Sequence, residues 1–215
     1  LVSILILSAA ALAYEVLLVR LFSIIHWHHF AFMVISIALL GYGASGSLIT
    51  VFRDRLLAHY DSAFIINSTL FGLSVIACFV TAQQLPFNAL EILWDDTQWL
   101  RLMSSYLLLT LPFFFVANAI ALTLMRFHQR IPLIYGIDLI GAGAGAILIM
   151  LALLVLPPES VLRLLGVTGI AAGLFYLRHR RAGERYRPAT LLTACMLAVI
   201  LIPQSWLELR MSEYK

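Results

Sequence analysis

The sequence is poor in charge: Asp, Glu, Lys and Arg make up 12% of its 215 residues, about half of the roughly 25% carried by a soluble domain. Together with a hydrophobic fraction of 62% and a mean hydropathy of +0.98, this excludes a water-soluble globular chain. It implies an integral membrane protein whose first partner is the lipid bilayer. Cysteine is scarce as well. Cys78 and Cys195 both fall inside apolar runs, where they read as small buried hydrophobes rather than as a disulfide or a metal cluster. Basic stripes are missing too, because the net charge of +3 is carried by short loops between apolar segments. No nucleic-acid partner is expected. The first segment lacks the basic n-region, short h-region and cleavage pattern of a signal peptide, and the chain is expected to be a fragment trimmed at its start.

What the chain does have is a succession of apolar runs. Seven are long enough to count as spans: residues 1–25, 29–52, 62–83, 104–127, 132–156, 160–178 and 188–204, against a requirement of about 20 residues for a core of about 30 Å. Backbone groups in lipid must be satisfied within each segment, and the alternation of barrel strands is absent. The expected fold class is therefore all-α, a polytopic transmembrane helical bundle of about seven spans over 1–204. Residues 205–215 are expected to be an extramembrane tail or the start of a further domain.

The loops fix an orientation. Arg53, Arg55, Arg126, Arg130, Arg178, Arg180, Arg181, Arg185 and Arg187 fall on one side, while Arg101, Arg163, Glu91, Asp95 and Asp96 fall on the other. By the positive-inside rule the arginine-rich side is cytoplasmic, which puts the N-terminus inside and the C-terminal end outside. The longest outer connection, "QLPFNALEILWDDTQWLR", gathers Leu90, Leu93, Trp94 and Leu100 on one side of a short helix expected to lie in the interface, as a connector or a lid.

Three charges interrupt the spans. Glu15 and Arg20 lie in "ALAYEVLLVR" and Asp138 in "IYGIDLIGAGAGA". An ionisable group at membrane depth costs about 2.5 to 3.5 kcal/mol, so these side chains are expected to face the bundle interior. Glu15 and Arg20, five apart, differ by about 140° around a helix and are poor partners for one another. They either lock the packing through Tyr14, Asn118, Tyr135 or helix ends, or line a substrate or proton path. "HWHHF" supplies His26, His28 and His29 as candidate metal or haem ligands. Interfacial anchoring beside Trp27 is the plainer reading, and no haem or metal is expected there. "GYGASGS" (41–47) and "GAGAG" (141–145) sit within apolar helices rather than after strands, so they are expected to let helices approach closely, not to cradle phosphate. Pro112 and Pro203 are expected to kink their helices.

"ALAYEVLLVRLF" followed by "HHFAFMVISIALLGYGASGSL" resembles the N-terminal membrane region of bacterial polyamine (spermidine/spermine) synthase-like membrane proteins. That region reads Tyr-Glu-Val-Leu, then Arg-Leu, and then carries a small-residue second helix. "LIYGIDLIGAGAGAIL" is similar to the Tyr-x-x-Asp-Leu-x-Gly-Ala segment of the same family. The resemblance maps Glu15 and Arg20 onto the first motif, and Tyr135, Asp138 and Gly141 onto the second. It implies a membrane module joined to a Rossmann-type domain that binds an S-adenosylmethionine-type ligand. No cofactor is expected in these residues themselves, and aminopropyl transfer is not expected of them alone. The His cluster departs from the family pattern, and an odd number of spans would leave an attached domain outside, away from such a cofactor.

The expected function is thus an integral membrane module of a spermidine-synthase-like protein, anchoring a soluble domain and binding or passing a small cationic or lipidic molecule. One alternative is a non-catalytic subunit of a redox or photosynthetic membrane complex. Another is a small-solute transporter. Other membrane subunits, or further copies of the chain, are the expected protein partners.

Overall fold

The computed structural model describes residues 1–25, 31–85, 94–180 and 186–202. Among the described residues seven α-helices follow one another: α1 (Val2–Ile25), α2 (Ala31–Ala58), α3 (Tyr60–Gln83), α4 (Thr97–Arg126), α5 (Ile131–Val155), α6 (Pro158–Arg180) and α7 (Tyr186–Ile200). A 3-10 turn at His128–Arg130 joins α4 to α5. No strand occurs among the described residues. The fold is the all-α bundle that a backbone without access to water must form.

Six of the helices are long and apolar enough to cross a membrane, so the chain is a multi-pass helical membrane protein. The seventh apolar run does form a helix, but α7 has 15 residues, or about 22 Å at 1.5 Å per residue. That is shorter than a hydrocarbon core of about 30 Å.

Helix ends move where hydrogen bonding outruns hydropathy. The apolar run of α2 stops near residue 52, and Phe52 breaks the helical dihedrals (φ −108, ψ 19), yet the helix resumes through Arg53, Asp54 and Arg55. These residues sit on a helical extension, not in a loop. Similarly, α4 begins at Thr97 rather than near 104, so Trp99 and Leu100 belong to it. The rest of the expected interfacial helix, 86–93, lies outside the described residues, while Trp94 is 87% exposed. The Asp95 carboxylate accepts from the Thr97 amide at 3.0 Å and from the Thr97 hydroxyl, supplying acceptors for the donors of a first turn. The Thr97 hydroxyl bond, more than any other contact, holds the Asp95 carboxyl below the usual carboxylate range. Pro112 lies buried within a continuous α4, and Pro203 lies outside the described residues.

Packing is organised on α1, which meets α5, α6 and α2, while α3 is wedged between α4 and α6. The centre is aromatic. Tyr14 packs on Phe113 (centroids 5.2 Å) and Phe71 (6.4 Å), and all three side chains are buried. Three seams have small residues in contact. Gly72 of α3 meets Gly166 and Gly169 of α6, Gly41 of α2 meets Phe113 of α4, and Gly141 and Gly145 of α5 lie on the backbone of Leu5 and Ala9 in α1. The last seam explains the "GAGAG" pattern, since a Cβ at position 145 would collide with the Ala9 carbonyl. In lipid such seams gain dispersion energy rather than hydrophobic energy, so closeness of approach decides their strength.

Candidate functional site

The α1–α5 seam carries the polar chemistry. Leu5 meets Gly141 and Ala9 meets Gly145, so the two helices run parallel. On α5 the buried stripe comprises Ile134, Gly141, Gly145 and Ile149, and Asp138 falls on that stripe, half-buried. Its carboxylate accepts a hydrogen bond from the Ser8 hydroxyl of α1 at 2.5 Å. This satisfies one lone pair of a charge that lipid cannot solvate.

Glu15 follows Ser8 by seven residues, which places it about 20° away around α1 and roughly 10 Å further along the axis. Ser8 and Glu15 therefore share one line of the helix. Tyr14, one residue earlier, turns into the aromatic centre instead. Glu15 is half-buried, and no hydrogen bond or ion pair to its carboxylate occurs among the described residues. Tyr42 of α2, 38% exposed, stands edge-on to Phe113 at 6.0 Å, within electrostatic range of both Glu15 and Asp138.

α2 and α5 flank α1 without packing substantially on one another. The result is a groove floored by α1, with the Ser8–Asp138 pair at one level and Glu15 with Tyr42 at the other. Its polar floor lies between helices that expose apolar side chains such as Leu39, Leu40, Ile140 and Ile147. Two carboxylates, one with an unshared acceptor face, and an aromatic hydroxyl can supply counter-charge and a π face to a cation.

The other expected site residues divide. Arg20 is exposed on α1, around the helix from Glu15, and does not join the groove. Tyr135 is 53% exposed; it stands one turn before Asp138, where residues three apart are neighbours, yet among the described residues it makes no hydrogen bond to that carboxylate. Asn118 does not bond to the carboxylates; it accepts from the Ser45 hydroxyl of α2 at 2.8 Å, in a buried bond. His26, His28 and His29 lie outside the described residues. Among the described residues, no group of three or more His, Cys, Asp or Glu side chains comes together as a metal site.

Sequence reasoning missed Ser8, Tyr42 and a second polar cluster. Tyr176 of α6 donates to Asp61 of α3 at 2.5 Å. Nearby, Tyr60 bonds Thr123 of α4 at 2.9 Å, and because the Thr123 hydroxyl is already given to the Ala119 carbonyl, Tyr60 is the donor. This cluster ties α3, α4 and α6 together near the α2–α3 corner. It had one sequence signal, an aspartate beside the start of an apolar run, where it could equally have been solvated.

No known protein family, curated protein or solved structure matches the chain.

Proposed function

We propose that this chain is the membrane module of a spermidine-synthase-like protein, and that the α1–α2–α5 groove binds or passes a small organic cation. One observation carries the reading: Glu15 and Asp138, carboxylates at membrane depth, open onto one groove around Tyr42, with Asp138 already positioned by Ser8. Two half-buried carboxylates at membrane depth, with no basic partner among the described residues, call for positive charge from elsewhere. The resemblance of "YEVLLVR" and "IYGIDLIGAGAGA" to the membrane region of polyamine synthase-like proteins supports the same chemistry. Both groove carboxylates are residues that the resemblance singles out.

The inferred setting is a bacterial inner membrane with the arginine-rich ends in the cytoplasm. Six crossings return the chain after α6 to the side on which residue 1 lies. An attached domain there would have access to an S-adenosylmethionine-type cofactor, which seven crossings would deny it.

The test is equilibrium binding of labelled spermidine to the purified protein in nanodiscs, alongside an uncharged diol of similar length. Glu15→Gln and Asp138→Asn should each weaken spermidine binding about tenfold or more, the worth of one charged contact, with helical content and elution volume retained. Wild-type protein that takes spermidine no better than the diol would remove the cation reading. Retained binding with lowered thermal stability in both variants would leave the carboxylates a packing role only.

A further inference from the structure

At the α5–α6 end of the bundle, α6 starts with Pro158, whose fixed φ suits a first helical position. The Pro157 carbonyl accepts from the amides of Ser160 (3.0 Å) and Val161 (3.2 Å), so the first turn satisfies part of its own backbone. Five residues in, about 7.5 Å along the axis, stands Arg163. At that depth a side chain lies below the corner but still within reach of the headgroup layer.

Arg163 is only partly exposed. Its Nε and Nη2 atoms are enclosed, and among the described residues neither has a hydrogen-bond acceptor. Glu159 lies one turn earlier, in the i to i+4 order that favours a pair, and no ion pair between the two is present among the described residues. A guanidinium cannot shed its proton, and Nε with Nη2 is the edge that grips two oxygens of one oxyanion side by side. Leaving that edge enclosed and unanswered costs more than leaving a neutral donor so. The positive end of the α6 dipole adds to the demand for an anion at the same end.

We propose that Arg163 is the anchor of a phosphate site at the α5–α6 end of the bundle, separate from the cation groove. On binding, the guanidinium turns this Nε–Nη2 edge, enclosed in the unliganded protein, toward the corner to take two phosphate oxygens, supplied by a phospholipid headgroup or by free phosphate. A lipid held there would have its acyl chains against apolar helix surface and its phosphate at the corner.

Native mass spectrometry of protein extracted gently from its membrane counts retained phospholipid, and thermal shift with added probes separates the two sources. Arg163→Gln should lower the lipid-bound fraction roughly tenfold, the value of one charge-assisted contact. Arg163→Lys keeps the charge but loses the fork, and should fall between the two. If Arg163→Gln fails to fold, the lysine variant carries the test alone. On delipidated wild type, stabilisation by dioctanoyl phosphatidylglycerol but not by inorganic phosphate assigns the site to the lipid. Stabilisation by both assigns it to phosphate in general, and dioctanoylglycerol, which lacks phosphate, should stabilise neither protein. Equal lipid retention in wild type and Arg163→Lys, with no phosphate-dependent shift, would overturn the proposal.

Discussion

The α3–α6 seam and the α1–α5 seam are built alike and surrounded differently. Both rely on glycines that let two backbones touch: Gly72 with Gly166 and Gly169 in one, Gly141 and Gly145 against Leu5 and Ala9 in the other. But α3 is also covered by α4, and its buried residues spread around the helix. On α5 only one stripe is buried, and the rest of the helix displays Leu139, Ile140, Ile147 and Leu151. The same local device thus makes a fixed core in one place and a helix held along a single edge in the other. A single-edged helix leaves its polar seam open at the side, which is where Asp138 and Glu15 lie.

The largest expected effect probes this contrast directly. Gly72→Val would force a side chain into the Gly166 carbonyl, with neighbours on both sides, and should destabilise the whole bundle by about 3 kcal/mol, the upper range for overpacking. It should be read as lowered yield and an early thermal midpoint. Gly145→Val meets an equally hard contact at Ala9, yet α5 can swing outward. Limited proteolysis should then cut around α5 first while α3 and α4 stay protected. If both variants unfold all at once, the distinction between core and edge is wrong.

Asp138→Asn sharpens the comparison from the polar side. It keeps an acceptor for the Ser8 hydroxyl and removes the charge, so stability should hold to within about 1 kcal/mol while cation binding falls. Ser45→Ala, which strands Asn118 between α2 and α4, should cost about 0.6 to 1 kcal/mol, measured by unfolding in mixed micelles, without touching the groove. The smallest effect belongs to Asp95. Its carboxyl is held down chiefly by the Thr97 hydroxyl bond, so its contribution is present above the unfolded value of about 3.9. That contribution is lost as the pH falls through the lower folded value. Hydrogen exchange at the first turn of α4 should quicken only in that acid window, and Asp95→Ala should abolish the dependence while barely moving the global midpoint.

Much of this was legible in the sequence, for reasons that also mark where legibility stops. Helix number and order follow from apolar length, because lipid allows no other way to satisfy the backbone. Glu15 and Asp138 stand out because a charge at membrane depth is costly. Ser8 does not stand out: a serine in an apolar helix can bond to its own backbone one turn back, so nothing in its neighbourhood announces a partner on another helix. Tyr42 likewise reads as one more aromatic until α2 is set beside α1. The boundaries of α2 and α4 were misjudged because hydropathy reports the edge of the lipid, whereas the helix ends where capping and dihedrals end it, as at Phe52 and Asp95.

The bond between Ser8 and Asp138 joins residues 130 positions apart, and that separation has a consequence in time. During synthesis at about 5 to 20 residues per second, α1 must wait roughly 7 to 26 s before its partner helix has been made. Throughout that interval its seam, with Ser8 and Glu15 on it, lies against lipid or against the insertion machinery. The last helix to complete the groove is therefore also the one that ends this exposure, and slowing translation between α4 and α5 should lengthen the period in which the nascent chain is open to degradation.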